Sequence, residues 1–257
     1  MKLRLKSGAV LNFLDQGDGH PVLLVHAFPL NHTMWQPQTA HLSPRFRVIA
    51  TDIRGFGESL PPSPWTILQA AEDLKDLLDQ LEVDNCAVVG LSMGGYIALP
   101  FVFWFPEKVR QLVLADTRAR ADNEAEKAAR TEMMTQLVRQ GNGILPKLML
   151  PRLLRPNPSA EAVEFVTSII TENDPSAAMY ALIAMRDRPD SSMALSRINC
   201  PTIVLAGEHD LVTRIDECRA MAQGIPEAMF LEIPGAGHLS NIDNPKAFNQ
   251  ALDDFLV

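Results

Sequence analysis

Cysteine is scarce in this chain, and its three copies, Cys86, Cys200 and Cys218, are odd in number and show no Cys-x-x-Cys spacing. A disulfide framework and a cysteine-based zinc site are therefore not expected, and each cysteine reads as a small buried apolar residue. Cationic charge is also short, since 23 Lys+Arg against 31 Asp+Glu leave −8 at pH 7. No basic cluster offsets this deficit, which argues against a nucleic-acid or anionic-membrane surface. No stretch approaches the roughly 18 consecutive apolar residues that read as a membrane span. The N-terminus, Met1-Lys2-Leu3-Arg4-Leu5-Lys6, alternates apolar and basic residues where a signal peptide would be continuously apolar, so it reads as a strand. The expected compartment is the cytoplasm. What the chain does have is apolar content, 47% of 257 residues with 21% charged. That suffices to bury roughly 70% of the chain's surface in one α/β domain carrying an inserted sub-domain.

Short apolar runs recur between helical stretches, at Val22 to His26, Val48 to Ala50, Ala87 to Val89, Leu112 to Ala115, Ile203 to Ala206 and Met229 to Ile233. Such runs predict strands covered on both faces, as in a mostly parallel sheet packed between helices. Leu3 to Lys6 and Val10 to Leu14 alternate around Ser7-Gly8 and predict an antiparallel hairpin at one edge, giving about eight strands in all. Thr66 to Leu81 carries apolar residues at helical spacing, with Thr66 and Gln69 placed as a capping box. The alternation of strand and helix stops after Arg118. Four helical stretches follow, Asp122 to Arg139, Ile144 to Leu154, Ser159 to Thr171 and Ser176 to Met185, broken by Pro and by Gly141-Asn142-Gly143. We therefore divide the chain into a core of 1–117 and 191–257 and an all-helical cap of 118–190.

Chemistry is carried by strand ends. Gly90-Leu91-Ser92-Met93-Gly94 follows a strand run and precedes a helix, the context in which Gly-x-Ser-x-Gly makes a strained turn that exposes the serine hydroxyl. A serine needs a base held by a carboxylate. Downstream strand ends supply Gly207-Glu208-His209-Asp210 and Pro234-Gly235-Ala236-Gly237-His238. With His26-Ala27-Phe28-Pro29 and Asp52-Ile53-Arg54-Gly55-Phe56-Gly57-Glu58-Ser59, these segments resemble the α/β-hydrolases, close to small bacterial esterases, enol-lactonases and cofactor-free haloperoxidases. The resemblance implies Ser92 as nucleophile, His238 as base and Asp210 as orienting acid, with the Phe28 and Met93 amides as the oxyanion hole. It implies no metal or organic cofactor and a small-molecule substrate.

Two departures stand out. Ala27 replaces the usual glycine after His26, and Pro100 sits about two turns into the helix after Ser92, where it should kink it. The apolar Phe101-Val102-Phe103-Trp104-Phe105 that follows reads as a helix buried on most sides, or as an exposed patch serving a homodimer. Asp116, at another strand end, is the rival acid. His26 reads as ordering the oxyanion loop, Arg54 as holding the Gly55 and Gly57 turn, and Glu208 and His209 as loop surface. Arg186 and Arg188 read as pairing with local acids, or one of them as meeting a substrate carboxylate. His20, His32 and His41 have no evident partner. Met133, Met134, Met149, Met179 and Met185 line either a pocket for a small apolar or aromatic group or only the cap's own core. The expected activity is hydrolysis of a carboxylic ester or lactone through an acyl-enzyme. Perhydrolysis, carbon–carbon bond hydrolysis and slow-turnover ligand sensing are the alternatives.

Overall fold

The computed structural model describes residues 1–61, 63–141 and 143–256. Eight strands form one sheet: β1 Lys2–Arg4, β2 Val10–Gln16, β3 His20–Val25, β4 Phe46–Thr51, β5 Cys86–Leu91, β6 Val109–Ala115, β7 Thr202–Gly207 and β8 Met229–Ile233. Their spatial order is β1-β2-β4-β3-β5-β6-β7-β8. β1 and β2 are antiparallel to each other, as are β2 and β4, and the remaining pairs are parallel. The strands in the middle, β3 to β7, are buried along most of their length because helices cover both faces. β8 departs from the expectation. It closes the sheet on one side, so Met229 and Leu231 are exposed even though Met229-Phe230-Leu231 is apolar; Glu232, which interrupts the run, is exposed with them.

The helices are α1 Gln36–Leu42, α2 Ile67–Gln80, α3 Met93–Trp104, α4 Glu124–Gln140, α5 Ile144–Leu153, α6 Ala160–Glu172, α7 Pro175–Arg186, α8 Ile215–Gly224, α9 Ser240–Asp243 and α10 Pro245–Phe255. α2 starts where the capping box places it, with Gln69 N donating to Thr66 Oγ1 and Thr66 N to Gln69 Oε1. It buries Leu74, Leu77 and Leu78. α3 runs through Pro100 to Trp104, so the ring removes a hydrogen bond without ending the helix. Phe101 and Val102 are buried, Phe103 and Phe105 are partly buried, and Trp104 is 66% exposed. Cys86 and Cys218 are buried as expected, whereas Cys200 is only half-buried.

Helices α4 to α7 succeed one another between β6 and β7 with no strand between them among the described residues. Of the expected Gly141-Asn142-Gly143 break, Asn142 lies outside those residues. The root of this insert is a network of buried charges. Asp122 accepts from Arg118 at 3.1 Å and Arg188 at 2.7 Å and also meets Arg130. Burial pushes the Asp122 carboxyl up, but Arg130 and Arg188 outweigh it and hold the group at about 2. The Arg188 guanidinium lies 3.9 Å over the Tyr96 ring of α3, and Arg120 pairs with Glu126 of α4 and Glu217 of α8. Arg188 therefore serves the buried Asp122 and a ring, while Arg186 pairs with its neighbour Asp187. Among the described residues no helix is long and apolar enough to cross a membrane.

Candidate active site

Ser92 occupies the turn from β5 into α3 at φ 55°, ψ −111°. A non-glycine residue at such dihedrals stores about 1–3 kcal/mol of strain and persists only when its surroundings dictate it. Here they do, because Ser92 N donates to Ala115 O at 2.9 Å and Thr117 Oγ1 donates to Ser92 O at 2.8 Å. The flanking glycines are required by close approach. A Cβ on Gly90 would lie 2.5 Å from Gly94 O, and one on Gly94 would lie 2.1 Å from Val25 O. The motif spacing thus reflects packing of the elbow against its own helix and the neighbouring β3.

The structure brings Ser92, His238 and Asp210 together from three strand ends. Ser92 Oγ lies 2.7 Å from His238 Nε2, and His238 Nδ1 lies 2.8 Å from Asp210 Oδ2. Asp210 is itself held, since its Oδ1 accepts from Val212 N at 2.7 Å and Thr213 N at 2.9 Å. His238 is 1% exposed and Ser92 7%, so the hydroxyl sits at the floor of a sheltered site. Asp116 is not the partner of His238. Its Oδ1 accepts from Gly207 N at 2.7 Å and its Oδ2 meets the Ser240 hydroxyl. Complete burial, and then the charge of nearby Asp210, push the Asp116 carboxyl well above the usual range, against the lowering effect of those donors.

The Phe28 and Met93 amides, expected as oxyanion donors, make no backbone hydrogen bond among the described residues. The loop carrying Phe28 is pinned on several sides. Burial holds His26 neutral, down to about 4, with Nδ1 2.9 Å from Ala27 O and Nε2 accepting from Ile53 N at 3.0 Å. His26 therefore orders the loop. Ala27, in place of a glycine, fits with its amide donating to Met34 Sδ at 3.2 Å.

Several partnerships differ from the sequence expectation. Arg54 does not hold the Gly55 and Gly57 turn; it reaches Asp73 on α2, with Nη2 2.7 Å from Oδ1. The turn is held by Asp52, whose Oδ2 accepts from Glu58 N at 3.1 Å and leaves no room for a Cβ on Gly57. Asp52 also pairs with His32 at 2.7 Å, and Asp253 pairs with His41 at 2.8 Å. Glu208 and His209 are exposed, as expected, and Glu208 accepts from Gly235 N. Asn173, just past α6, carries no motif in the sequence, yet it is buried and bonds to the loop after β3. An isolated Asn between two helical patterns gives no signal of a contact 144 residues away.

A cavity of about 140 Å³ adjoins the site, lined by Phe28 and Val212 from the sheet side and by Met133, Met149, Leu182 and Arg152 from the insert. Met133 and Met149 thus line this cavity while also packing on the core, Met149 being 7% exposed; Met185 is buried, and Met134 and Met179 are partly buried against the core. Two larger surface depressions, about 450 and 490 Å³, lie beside α8 and between α1 and α6. Neither is lined by Ser92, His238 or Asp210, and the smaller cavity is the one that shares Phe28 and the Asp210 loop. No group of three or more His, Cys, Asp or Glu is placed to hold a metal among the described residues.

The family model described as the alpha/beta hydrolase family matches residues 22–251, which take in the parallel part of the sheet from β3 onward and the helices as far as α10, and leave out β1 and β2. The chain belongs to that family. Among solved structures, this hydrolase is similar to a thermophilic esterase from Thermogutta terrifontis with malate bound, at a TM-score of 0.95 and 38% identity over 100% of this chain and 97% of that one. It is similar to the enol-lactonase from Burkholderia xenovorans at a TM-score of 0.90 and 26% identity, covering 100% of this chain and 99% of that one. Among curated relatives, 3-oxoadipate enol-lactonase 2 of Acinetobacter baylyi is 29% identical over 93% of this chain and 89% of its own.

Proposed function

We propose that this hydrolase cleaves a carboxylic ester or lactone of a small substrate through an acyl-enzyme formed on Ser92. The observation that carries the reading is the relay from Ser92 Oγ through His238 to Asp210, with links of 2.7 and 2.8 Å. His238 Nε2 takes the serine proton as Oγ attacks the carbonyl carbon, and Asp210 holds the Nδ1–H tautomer and offsets the imidazolium charge. The carbonyl oxygen, now an anion, meets the Phe28 and Met93 amides. Collapse of the tetrahedral species expels the alkoxide, which takes the proton from His238. Water, deprotonated by the same imidazole, then releases the acid and restores Ser92.

The relatives named as esterase and enol-lactonase support ester and lactone chemistry as the first choice. Residues 118–190 serve as a cap over the site, and the Met133 and Met149 walls of the adjoining cavity suit a small apolar or aromatic group. The test is covalent labelling by a serine-directed phosphonate together with turnover of a short p-nitrophenyl ester panel, with and without hydrogen peroxide. Ser92→Ala should abolish labelling and lower kcat by about 10⁴ or more, because nucleophile and base act as a unit. Equal labelling of the variant overturns the assignment. Release of peracid in place of the acid when peroxide is present moves the reading to perhydrolysis, and labelling without turnover moves it to ligand sensing.

A further inference from the structure

We propose that Asn173 is a positioning residue for the reaction, a clamp from the helical insert that sets the aim of the Phe28 amide. The inference rests on the reading of that amide as an oxyanion donor. Asn173 follows the last turn of α6 in extended conformation, at φ −75°, ψ 147°, where a helix leaves carbonyls without intrahelical donors. Its Nδ2 donates to one of them, Ile169 O, at 2.9 Å, and also to Pro29 O at 2.9 Å. Its Oδ1 accepts from Gly57 N at 2.7 Å. The amide orientation follows from these partners, since two carbonyls must face nitrogen and one N–H must face oxygen. One side chain, 4% exposed, therefore joins the end of α6, the loop after β3 and the turn after β4.

The consequence is mechanical. Phe28 lies between two fixed carbonyls. Ala27 O is bound by His26 Nδ1 and by Leu30 N, both at 2.9 Å, and Pro29 O is bound by Asn173. The anchors on Ala27 come from the loop itself, whereas the Pro29 anchor comes from the insert. Removing the Asn173 side chain releases Pro29 O and frees the chain on the C-terminal side of Phe28, so that the peptide plane before Phe28, which carries its N–H, is held only through Ala27 O. An oxyanion donor must point to the place where charge develops, to within a fraction of an ångström. Seating of the insert and charge stabilisation in the transition state are thereby linked through one amide. The first effect of losing the clamp is on kcat, because the ground-state ester carbonyl demands little of the hole.

The experiment compares the full-length protein with Asn173→Ala, Asn173→Ser and Phe165→Ala. Phe165 lies on α6, packs against the core and takes no part in the Asn173 bonds, so its truncation removes a contact of the helix while leaving the clamp itself in place. For each folded protein, kcat and KM on p-nitrophenyl acetate, the affinity for a trifluoromethyl ketone and the melting temperature are measured, with active sites titrated by phosphonate. Asn173→Ala should lower kcat by about 10- to 100-fold with KM changed less than about twofold, and weaken the ketone by the same factor as kcat. Phe165→Ala should lower the melting temperature and leave kcat within about twofold. Should the alanine variant not fold, the serine variant, which keeps one hydrogen-bonding group, carries the same expectation with a smaller drop. Normal kcat in either folded Asn173 variant, or an equal drop in Phe165→Ala, overturns the clamp. Failure of the phosphonate to label Ser92 in the unmodified protein overturns the serine mechanism and the clamp with it, and the two failures are thus distinct.

Discussion

Replacing Asp116 by Asn probes the electrostatics behind the relay without touching Ser92, His238 or Asp210. The Asp116 carboxyl is completely buried beside the Asp210 charge, and these two effects push it well above its ordinary 3.8 despite donors from Gly207 and Ser240. In the unfolded chain it ionises at the ordinary value. Between 3.8 and its raised native value the folded protein therefore holds one proton more than the unfolded chain. Because the slope of unfolding free energy with pH follows protons bound unfolded minus native, Asp116 makes stability fall as pH rises through that window, by up to about 1.4 kcal/mol per unit. Asparagine carries no such proton. It adds a constant offset from the altered Ser240 contact and removes the slope. The stability of Asp116→Asn minus that of the unmodified protein should therefore climb as pH rises above about 3.8, at a slope of up to about 1.4 kcal/mol per unit, and level off once the native carboxyl ionises. In a chain of this size that corresponds to roughly 2–4 °C of melting temperature per kcal/mol. Urea unfolding and thermal melts of both proteins in matched buffers read the difference, in which the other titrations largely cancel. A difference that does not vary with pH refutes the reasoning, for it means that Asp116 is ionised in the native protein.

The acid assignment separates two variants on one ester: Asp210→Asn should cost on the order of 10³–10⁴ in kcat and Asp116→Asn far less, with circular dichroism to verify folding. The opposite ranking would place the acid on β6. Arg188→Ala removes a partner of buried Asp122 and the cation stacked 3.9 Å over Tyr96, so urea unfolding should register a loss of about 2–4 kcal/mol. A loss below about 0.5 kcal/mol, typical of surface sites, would contradict a structural role for this arginine. Gly94→Ala puts a Cβ 2.1 Å from Val25 O, where neither backbone can yield, and should give insoluble protein or a loss above about 3 kcal/mol. Soluble Gly94→Ala with unchanged melting temperature would show that the elbow has slack.

The sheet was legible because its signals are local. Continuous apolar runs mark strands buried on both faces, and the periodicity and capping box of Thr66 to Leu81 mark a helix whatever packs on it. The elbow was legible for a related reason, since a chain that must pass within reach of Gly94 O and Val25 O can carry no side chain at Gly90 or Gly94, and that exclusion is written as two glycines. Asp210 and His238 could be picked out because each directly follows a strand run, and strand ends in a parallel sheet share one edge. Choosing between Asp210 and Asp116 required three dimensions: both follow strands, and only the approach of Oδ2 to His238 Nδ1 distinguishes them. The same holds wherever partners are far apart in the chain. Arg54 with Asp73, His41 with Asp253 and Asn173 with Pro29 are bonds between groups with no shared period or spacing, so packing alone selects each partner. β8 states the limit from the other side. Met229-Phe230-Leu231 alone reads like the start of an interior strand, Glu232 being its one polar interruption, and the order of strands leaves Met229 and Leu231 exposed.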